Sequence, residues 1–246
     1  SEKKIKINNS NIFFKDNLNE VISIIKISNA FLFFDEKNLL NLFDLKGEIF
    51  NIPFKLKYQN NLDLKKKIKI KASDLKLEIT NESFKKDEDL SNGINNISIL
   101  SSSINTKYNV NDQIVIFQSS GSRVYNSKID YNGQLTINPF DLNLKINLDN
   151  YKISNLFTPN SIIIEFIKSG LLFNENISVD TLVNIKSTKK EEIFDEAKFK
   201  FKILNGKISF DNTIFINNNI GLLEVSNSNL FLENNKLILT ANLSID

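Results

Sequence analysis

Residues 198–210 read KFKFKILNGKISF, and this stretch decides the fold class. Phe199, Phe201 and Ile203 alternate with lysines, which is the two-residue period of a β-strand with one apolar face. Asn205-Gly206 follows, the strongest short signal for a two-residue type I′ turn. The stretch therefore predicts a β-hairpin. Its predicted cross-strand pairs are Ile203 with Ile208, Lys202 with Ser209, Phe201 with Phe210 and Lys200 with Asp211.

The same alternation recurs in other parts of the chain, around residues 67–72 and 142–148. It predicts a mainly β protein with an elongated, curved, mostly antiparallel sheet, built as a β-groove or as an open sandwich. One face of this sheet is apolar and the other carries lysines. The apolar residues that we expect to line a groove are Ile68, Ile70, Leu142, Leu144, Ile146, Leu148, Phe199, Phe201, Ile203, Ile208 and Phe210.

Two further turns with asparagine predict hairpins. Their positions and pairs are Asn234-Asn235, with Leu230 opposite Leu239, and Asn132-Gly133 in a three-residue loop, with Tyr131 opposite Leu135. The acidic and polar residues 85–96 are interpreted as a loop.

One segment departs from the β pattern. Thr158 suits a helix N-cap, Pro159 the first helical position and Gly170 the position after the last turn, so we predict a helix over 159–169. The predicted segments are 1–150, a β-rich segment of antiparallel strands, and 151–246, in which the helix is followed by C-terminal hairpins that continue the same sheet.

Composition excludes several classes of site. The chain has 246 residues, 31 basic and 29 acidic side chains, a net charge of +2, and no His, Cys, Met or Trp. Zinc sites built on His or Cys, cysteine nucleophiles, Ser-His-Asp triads and disulfides are therefore excluded. We expect no enzymatic activity, no cofactor and no metal. With Arg123 as the only arginine, nucleic acid is not an expected partner. Because the chain opens with Ser1 and contains no Met, we expect it to be a segment of a longer protein.

The apolar and lysine-bearing faces allow two interpretations. In one, the lysines are the solvated outside of a closed β-sandwich. In the other, the apolar face stays open and takes acyl chains, which gain roughly 0.8 kcal/mol per buried CH₂. The two interpretations differ in whether the apolar face meets protein or ligand.

Two groups of motifs carry a resemblance to a known family. The first runs from Ala30-Phe-Leu-Phe-Phe-Asp35 through Leu45-Lys-Gly47 to Ile49-Phe-Asn-Ile-Pro53-Phe54. The second comprises Ser169-Gly170-Leu171-Leu172, Asn176-Ile-Ser-Val-Asp180, Asn205-Gly206, Ile220-Gly221-Leu222 and Ser226-Asn227-Ser-Asn-Leu230. They resemble the repeated strand unit and the C-terminal part of the AsmA-like family (AsmA/TamB/YhdP-type bacterial envelope proteins).

The resemblance implies a periplasmic β-groove protein, attached to the inner membrane through a part of the parent chain that is not present here. Its partners would be phospholipid acyl chains and the envelope membranes, and its function lipid transport between membranes in support of outer-membrane biogenesis. The alternative is an extracellular or surface β-rich adhesin or structural segment without a lipid ligand.

Overall fold

The computed structural model describes residues 2–15, 19–35, 40–49, 51–60, 65–85, 87, 90–99, 101–125, 127–154, 171–187, 193–233 and 236–246. Within these ranges the chain is almost entirely β, which confirms the predicted all-β class. The strands are β1 Glu2–Lys15, β2 Val21–Asp35, β3 Leu40–Ile49, β4 Ile52–Asn60, β5 Lys65–Ala72, β6 Leu77–Lys85, β7 Leu90–Ile99, β8 Ser102–Asn111, β9 Ile114–Ser119, β10 Ser122–Val124, β11 Ser127–Thr136, β12 Phe140–Asp149, β13 Ile177–Lys186, β14 Glu196–Leu204, β15 Lys207–Ser209, β16 Thr213–Asn217, β17 Gly221–Glu233 and β18 Lys236–Ile245. A 3-10 turn covers Leu171–Phe173.

The chain forms two compact units, which are described separately. Unit 1 comprises Ser1–Asp112 and Ser119–Tyr125, and unit 2 comprises Gln113–Gln118 and Asn126–Asp246. The division at residue 150 that the sequence suggests stays a prediction.

Unit 1 is an antiparallel meander. Each strand from β1 to β7 pairs with the next strand in the chain, and the short strand β10 adds to β8 through Arg123 opposite Ser103. Within the strands, apolar and charged residues alternate between the two faces of the sheet. In β4, for example, Leu56 and Tyr58 share one face while Lys55 and Lys57 share the other. Short connections suffice, since consecutive strands run in opposite directions.

Unit 2 contains the single parallel pair found among the described residues, β12 with β13. A parallel pair needs a crossover connection, and residues 150–176 supply it. The described parts of this connection are well packed, with Tyr151 exposed by 8% and Ile153 by 3%. The helix predicted at 159–169 lies outside the described residues. The remaining pairs of unit 2 are antiparallel, namely β9–β11, β11–β12, β13–β14, β14–β15, β14–β16, β15–β17, β16–β17 and β17–β18.

The hairpin at Asn205-Gly206 is confirmed. Both residues have positive φ, 50° and 69°, as a type I′ turn requires. Ile203 faces Ile208 and Lys202 faces Ser209, and the Phe201 and Phe210 ring centroids lie 5.7 Å apart. The predicted register of β17 with β18 is confirmed by Leu230 opposite Leu239, although the turn residues 234 and 235 lie outside the described residues.

The predicted pair of Lys200 with Asp211 is wrong. The chain leaves β15 after Ser209, and the Lys200 amide donates to the Thr213 hydroxyl instead. The Asp211 carboxylate accepts hydrogen bonds from the amide and the hydroxyl of Ser228. These hydrogen bonds lower the pKa of Asp211, and the bond from the Ser228 amide has the largest effect.

The hairpin predicted at Asn132-Gly133 is also wrong, because β11 runs straight through it. Gly133 is paired with Phe117 on β9, and a Cβ at Gly133 would lie 2.6 Å from the Phe117 Cζ atom. The glycine here makes room for a ring instead of forming a turn. The loop predicted over 85–96 is wrong over residues 90–96, because β7 begins at Leu90. Gly93 of this strand lies opposite Tyr108.

We expect Gly133→Ala to destabilise the protein by about 1–3 kcal/mol, because the methyl group overlaps the Phe117 ring and the Asn143 carbonyl. Urea unfolding of the wild type, Gly133→Ala, Phe117→Ala and the double variant measures the coupling. The loss caused by Gly133→Ala should be smaller when Phe117 is already alanine. Equal losses in both backgrounds would contradict the proposed ring–glycine contact.

Candidate functional site

The candidate site is an apolar surface that crosses unit 1 perpendicular to its strands. Directly paired residues share a face of the sheet, so the strand register aligns one residue from each strand into a row, here called the central row. The central row consists of Ile7, Ala30, Leu45, Leu56, Ile70, Ile79, Ile97 and Ile104, one each from β1 to β8. Ala30 has no exposed surface and Leu45 exposes 6%, while the other six are half-buried.

A second row lies beside the central row and changes character along its length. It begins apolar and ends polar, in the order Ile5, Leu32, Phe43, Tyr58, Ile68, Asn81, Asn95 and Thr106. Ile5 exposes 56% of its surface and Leu32 exposes 36%. The apolar surface is therefore broadest on β1 to β5 and narrows to the central row on β6 to β8.

The two buried members of the central row, Ala30 and Leu45, are packed by neighbours within the same sheet. Ile27, Ala30 and Leu45 form a buried cluster, and the residues packed against it also come from β1 to β4. Among the described residues of unit 1, the extensive contacts of each strand are with its hydrogen-bonded neighbours, and no helix or second sheet of that unit lies over the face. Six members of the central row are thus partly exposed, and contiguous exposed apolar residues are typical of interaction surfaces.

The apolar face of unit 2 is closed over part of its area. Its register forms a row through Leu135, Leu142, Val179, Ile203, Ile208, Leu230 and Leu239. Leu172 and Phe173, from the crossover connection, pack on the cluster of Val179, Ile203 and Ile208. Ile203 and Ile208 consequently have no exposed surface. This part of the face is a packed core.

The structure separates the residues that the sequence assigns to a groove. Those of β12, β14 and β15 in unit 2 share one face, Phe210 follows β15 and packs beside Phe199 and Phe201, and Ile68 and Ile70 lie in unit 1. Leu148, Phe199, Ile203 and Ile208 are buried, and Leu142, Phe201 and Phe210 pack against the buried cluster. Leu144, Ile146, Ile68 and Ile70 are half-buried. A lipid-facing role for any of them stays a prediction.

Most of the central row was missed by reasoning from the sequence. Leu56 lies in a clear alternation with Lys55 and Lys57, and this signal would have identified it. Ile97 and Ile104 lie in strands rich in Asn and Ser, where too few apolar residues alternate to reveal the face.

On the opposite face of the sheet, lysines of β5 form ion pairs with glutamates of β6. The Lys65 and Lys67 ammonium groups lie 2.8 and 2.7 Å from the Glu82 carboxylate, and their hydrogen bonds lower the pKa of Glu82 to about 2. Lys69 and Lys71 lie 2.6 and 2.8 Å from Glu78 and lower its pKa as well. These pairs lie on the face of β5 opposite Ile68 and Ile70, as the alternation of the strand requires.

No family model matches the chain, and neither a curated protein nor a solved structure matches it. In the part of the chain that the structure describes, no group of three or more acidic side chains could hold a metal ion. The described helical residues likewise include no helix long and apolar enough to cross a membrane. The fold and the site thus define a β-sheet protein in which the described residues of unit 1 include a partly exposed apolar face.

We expect acid to reveal the Glu82 ion pairs. Because the folded-state pKa of Glu82 is about 2 and its ordinary value is 4.5, its stabilising effect is complete above pH 4.5 and is lost as the pH falls toward 2. Glu82→Gln should therefore be less stable than the wild type at neutral pH, and the difference should shrink over that range. The measurement is urea unfolding at several pH values.

Glu224→Gln is the matched control, since Glu224 lies mid-strand opposite the neutral residues Ile214 and Ser244. This variant should follow the pH dependence of the wild type. If Glu82→Gln and the wild type differ by the same amount at every pH, the ion pairs contribute no pH-dependent stability.

Proposed function

We propose that the protein is a non-enzymatic lipid-binding module whose apolar face in unit 1 holds phospholipid acyl chains. The observation that carries the proposal is the central row, because eight successive strands each place an apolar residue on it. Binding of this kind needs no nucleophile, acid–base pair or metal, which suits a chain without His or Cys.

The dimensions of the central row suit an acyl chain. Seven strand spacings of about 4.8 Å give the row a length of roughly 34 Å along the sheet. A phospholipid tail spans about half of a hydrocarbon core roughly 30 Å thick, so one extended tail fits on the row. Each methylene removed from water contributes roughly 0.8 kcal/mol, and the six partly exposed members of the central row, together with Ile5 and Leu32 beside it, offer that contact.

The second row makes the two ends of the surface chemically different, apolar on β1 to β5 and polar on β6 to β8. Asn81, Asn95 and Thr106 adjoin the central row on β6 to β8, whereas β1 to β5 supply apolar side chains at the same level. A lipid headgroup needs hydrogen-bond partners and a tail does not, so we place the tail over β1 to β5 and the headgroup toward β6 to β8.

The cellular setting is proposed from the resemblance to the AsmA-like family. There the module would be periplasmic, attached to the inner membrane through a part of the parent chain, and would conduct phospholipid between envelope membranes during outer-membrane assembly. The apolar face of unit 1 supports this setting, since lipid can enter along a surface over which the described residues of that unit place no second layer.

The test compares three asparagine variants. Ile79→Asn places an amide in the middle of the central row, Thr80→Asn places the same amide on the opposite face, and Ile203→Asn places it where no surface is exposed. An amide avoids charge repulsion with the probe, the fluorescent fatty acid cis-parinaric acid. Thermal unfolding is measured in parallel, and native mass spectrometry of the gently purified wild type detects bound phospholipid.

We expect Ile79→Asn to stay folded and to bind the probe about tenfold more weakly, since an acyl chain over an unpaired amide loses one to three kcal/mol, about tenfold or more in affinity. Thr80→Asn should bind like the wild type, and Ile203→Asn should be destabilised by about 3–5 kcal/mol. A wild type that carries no phospholipid and binds no probe would reject the proposal and favour the adhesin or structural alternative.

A further inference from the structure

The chain contains three Asn-Gly dipeptides, at residues 92–93, 132–133 and 205–206. In such a dipeptide the amide nitrogen of the glycine can attack the side-chain carbonyl carbon of the asparagine, because glycine has no Cβ to obstruct the approach and its backbone rotates freely. This chemistry makes asparagine a thermolabile residue. The structure places the three dipeptides in different surroundings, and so it indicates which of them can react in the folded protein.

Two of the dipeptides are held in the interior of strands. Gly93 of β7 has a paired strand on either side, and so has Gly133 of β11. The amide of a residue between two antiparallel partners is hydrogen-bonded to one of them. The Tyr108 hydroxyl packs directly on Gly93, and the Phe117 ring packs on Gly133. Ring closure requires the glycine nitrogen to leave the ladder and the asparagine backbone to rotate, which the neighbouring strands and these side chains oppose.

The third dipeptide is the turn between β14 and β15. Asn205 is exposed, and Asn205 and Gly206 have φ angles of 50° and 69°. The hairpin pairs end with Leu204 opposite Lys207, so the Gly206 amide lies outside the ladder. Neither this amide nor the Asn205 side chain is hydrogen-bonded to another described residue. The attacking nitrogen and the carbonyl group that it attacks are therefore not held by hydrogen bonds, and the side chain is open to water.

We propose that Asn205 is a site of spontaneous deamidation, and that the fold confines the reaction to this one of the three dipeptides. The Gly206 nitrogen forms a bond to the side-chain carbonyl carbon of Asn205. The bond from that carbon to the side-chain amide nitrogen breaks, and ammonia leaves with the proton that the Gly206 amide loses. Water then opens the cyclic imide at either of its carbonyl carbons, which gives aspartate or isoaspartate.

Isoaspartate would change a turn that lies against the packed core of unit 2. In isoaspartate the main chain runs through the side-chain carbon, so the turn gains one methylene in its backbone. The present length of the turn sets Ile203 opposite Ile208. A Cβ at Gly206 would lie 2.7 Å from the carbonyl oxygen of Phe173, which packs on both isoleucines. A longer turn therefore disturbs the hairpin register and the segment that covers it.

The test follows deamidation of the folded and the urea-unfolded wild type in mildly alkaline buffer at physiological temperature. Peptide mass spectrometry locates each amide-to-acid change, and protein isoaspartate methyltransferase labels isoaspartate. In the folded protein we expect the change at Asn205 and not at Asn92 or Asn132. In urea all three should react at comparable rates, because the dipeptides are identical once the strands are lost.

Two variants separate the effects of chain lengthening and charge. Asn205→Gly removes the amide and keeps the turn, because Gly-Gly also suits a type I′ turn. Its urea midpoint should stay constant during incubation, whereas that of the wild type should fall as isoaspartate accumulates. Freshly prepared Asn205→Asp adds the charge without lengthening the backbone, and it should unfold at the midpoint of the fresh wild type.

An Asn205 that stays intact in the folded protein while it reacts in urea would overturn the proposal. Reaction of folded Asn92 or Asn132 as fast as that of Asn205 would overturn the selectivity. The inference goes beyond lipid binding and does not depend on it. Asn205→Gly should bind cis-parinaric acid as the wild type does, because the central row lies in unit 1. A wild type that binds no probe therefore rejects only the lipid proposal.

Discussion

The register between neighbouring strands is the constraint on which the rest of the structure depends. A single strand cannot bury its apolar side chains by itself, because a lone strand has no neighbour to cover them. Pairing aligns Leu45, Leu56 and Ile70 with one another, and on the other face it brings Lys69 and Lys71, the neighbours of Ile70, to Glu78. A slip of one residue would exchange the faces. Between β5 and β6, the apolar contacts and the ion pairs therefore favour the same register from opposite sides of the sheet.

Local sequence predicted the fold where the relevant contacts are local. The Asn205-Gly206 turn and the Leu230–Leu239 register follow from residues a few positions apart, and both are confirmed. The same dipeptide at Asn132-Gly133 gave a wrong prediction, because the residue that decides its conformation is Phe117, on a strand separated by a further element. The Asn-Gly dipeptide carries no information about an aromatic side chain that packs against it from another strand.

The candidate site was harder to predict than the fold. Alternation correctly places Phe201 and Ile203 on an apolar face, but it cannot say whether that face is covered. Leu172 and Phe173 decide this for unit 2, and they belong to a crossover connection whose path depends on the parallel pairing of β12 with β13. In unit 1 the face extends through asparagine-rich strands, whose few isoleucines become a surface only after pairing.

The meander of unit 1 makes its length adjustable. Because each strand from β1 to β8 bonds mainly to the strands next to it in the chain, the energetics are close to those of a linear repeat, a sum of neighbouring interfaces. Duplication or deletion of one hairpin would preserve strand direction and the facing of every side chain. It would lengthen or shorten the apolar track by two strand spacings, roughly 10 Å. Gene duplication could thus tune such a sheet to a longer or shorter span without redesigning its interior.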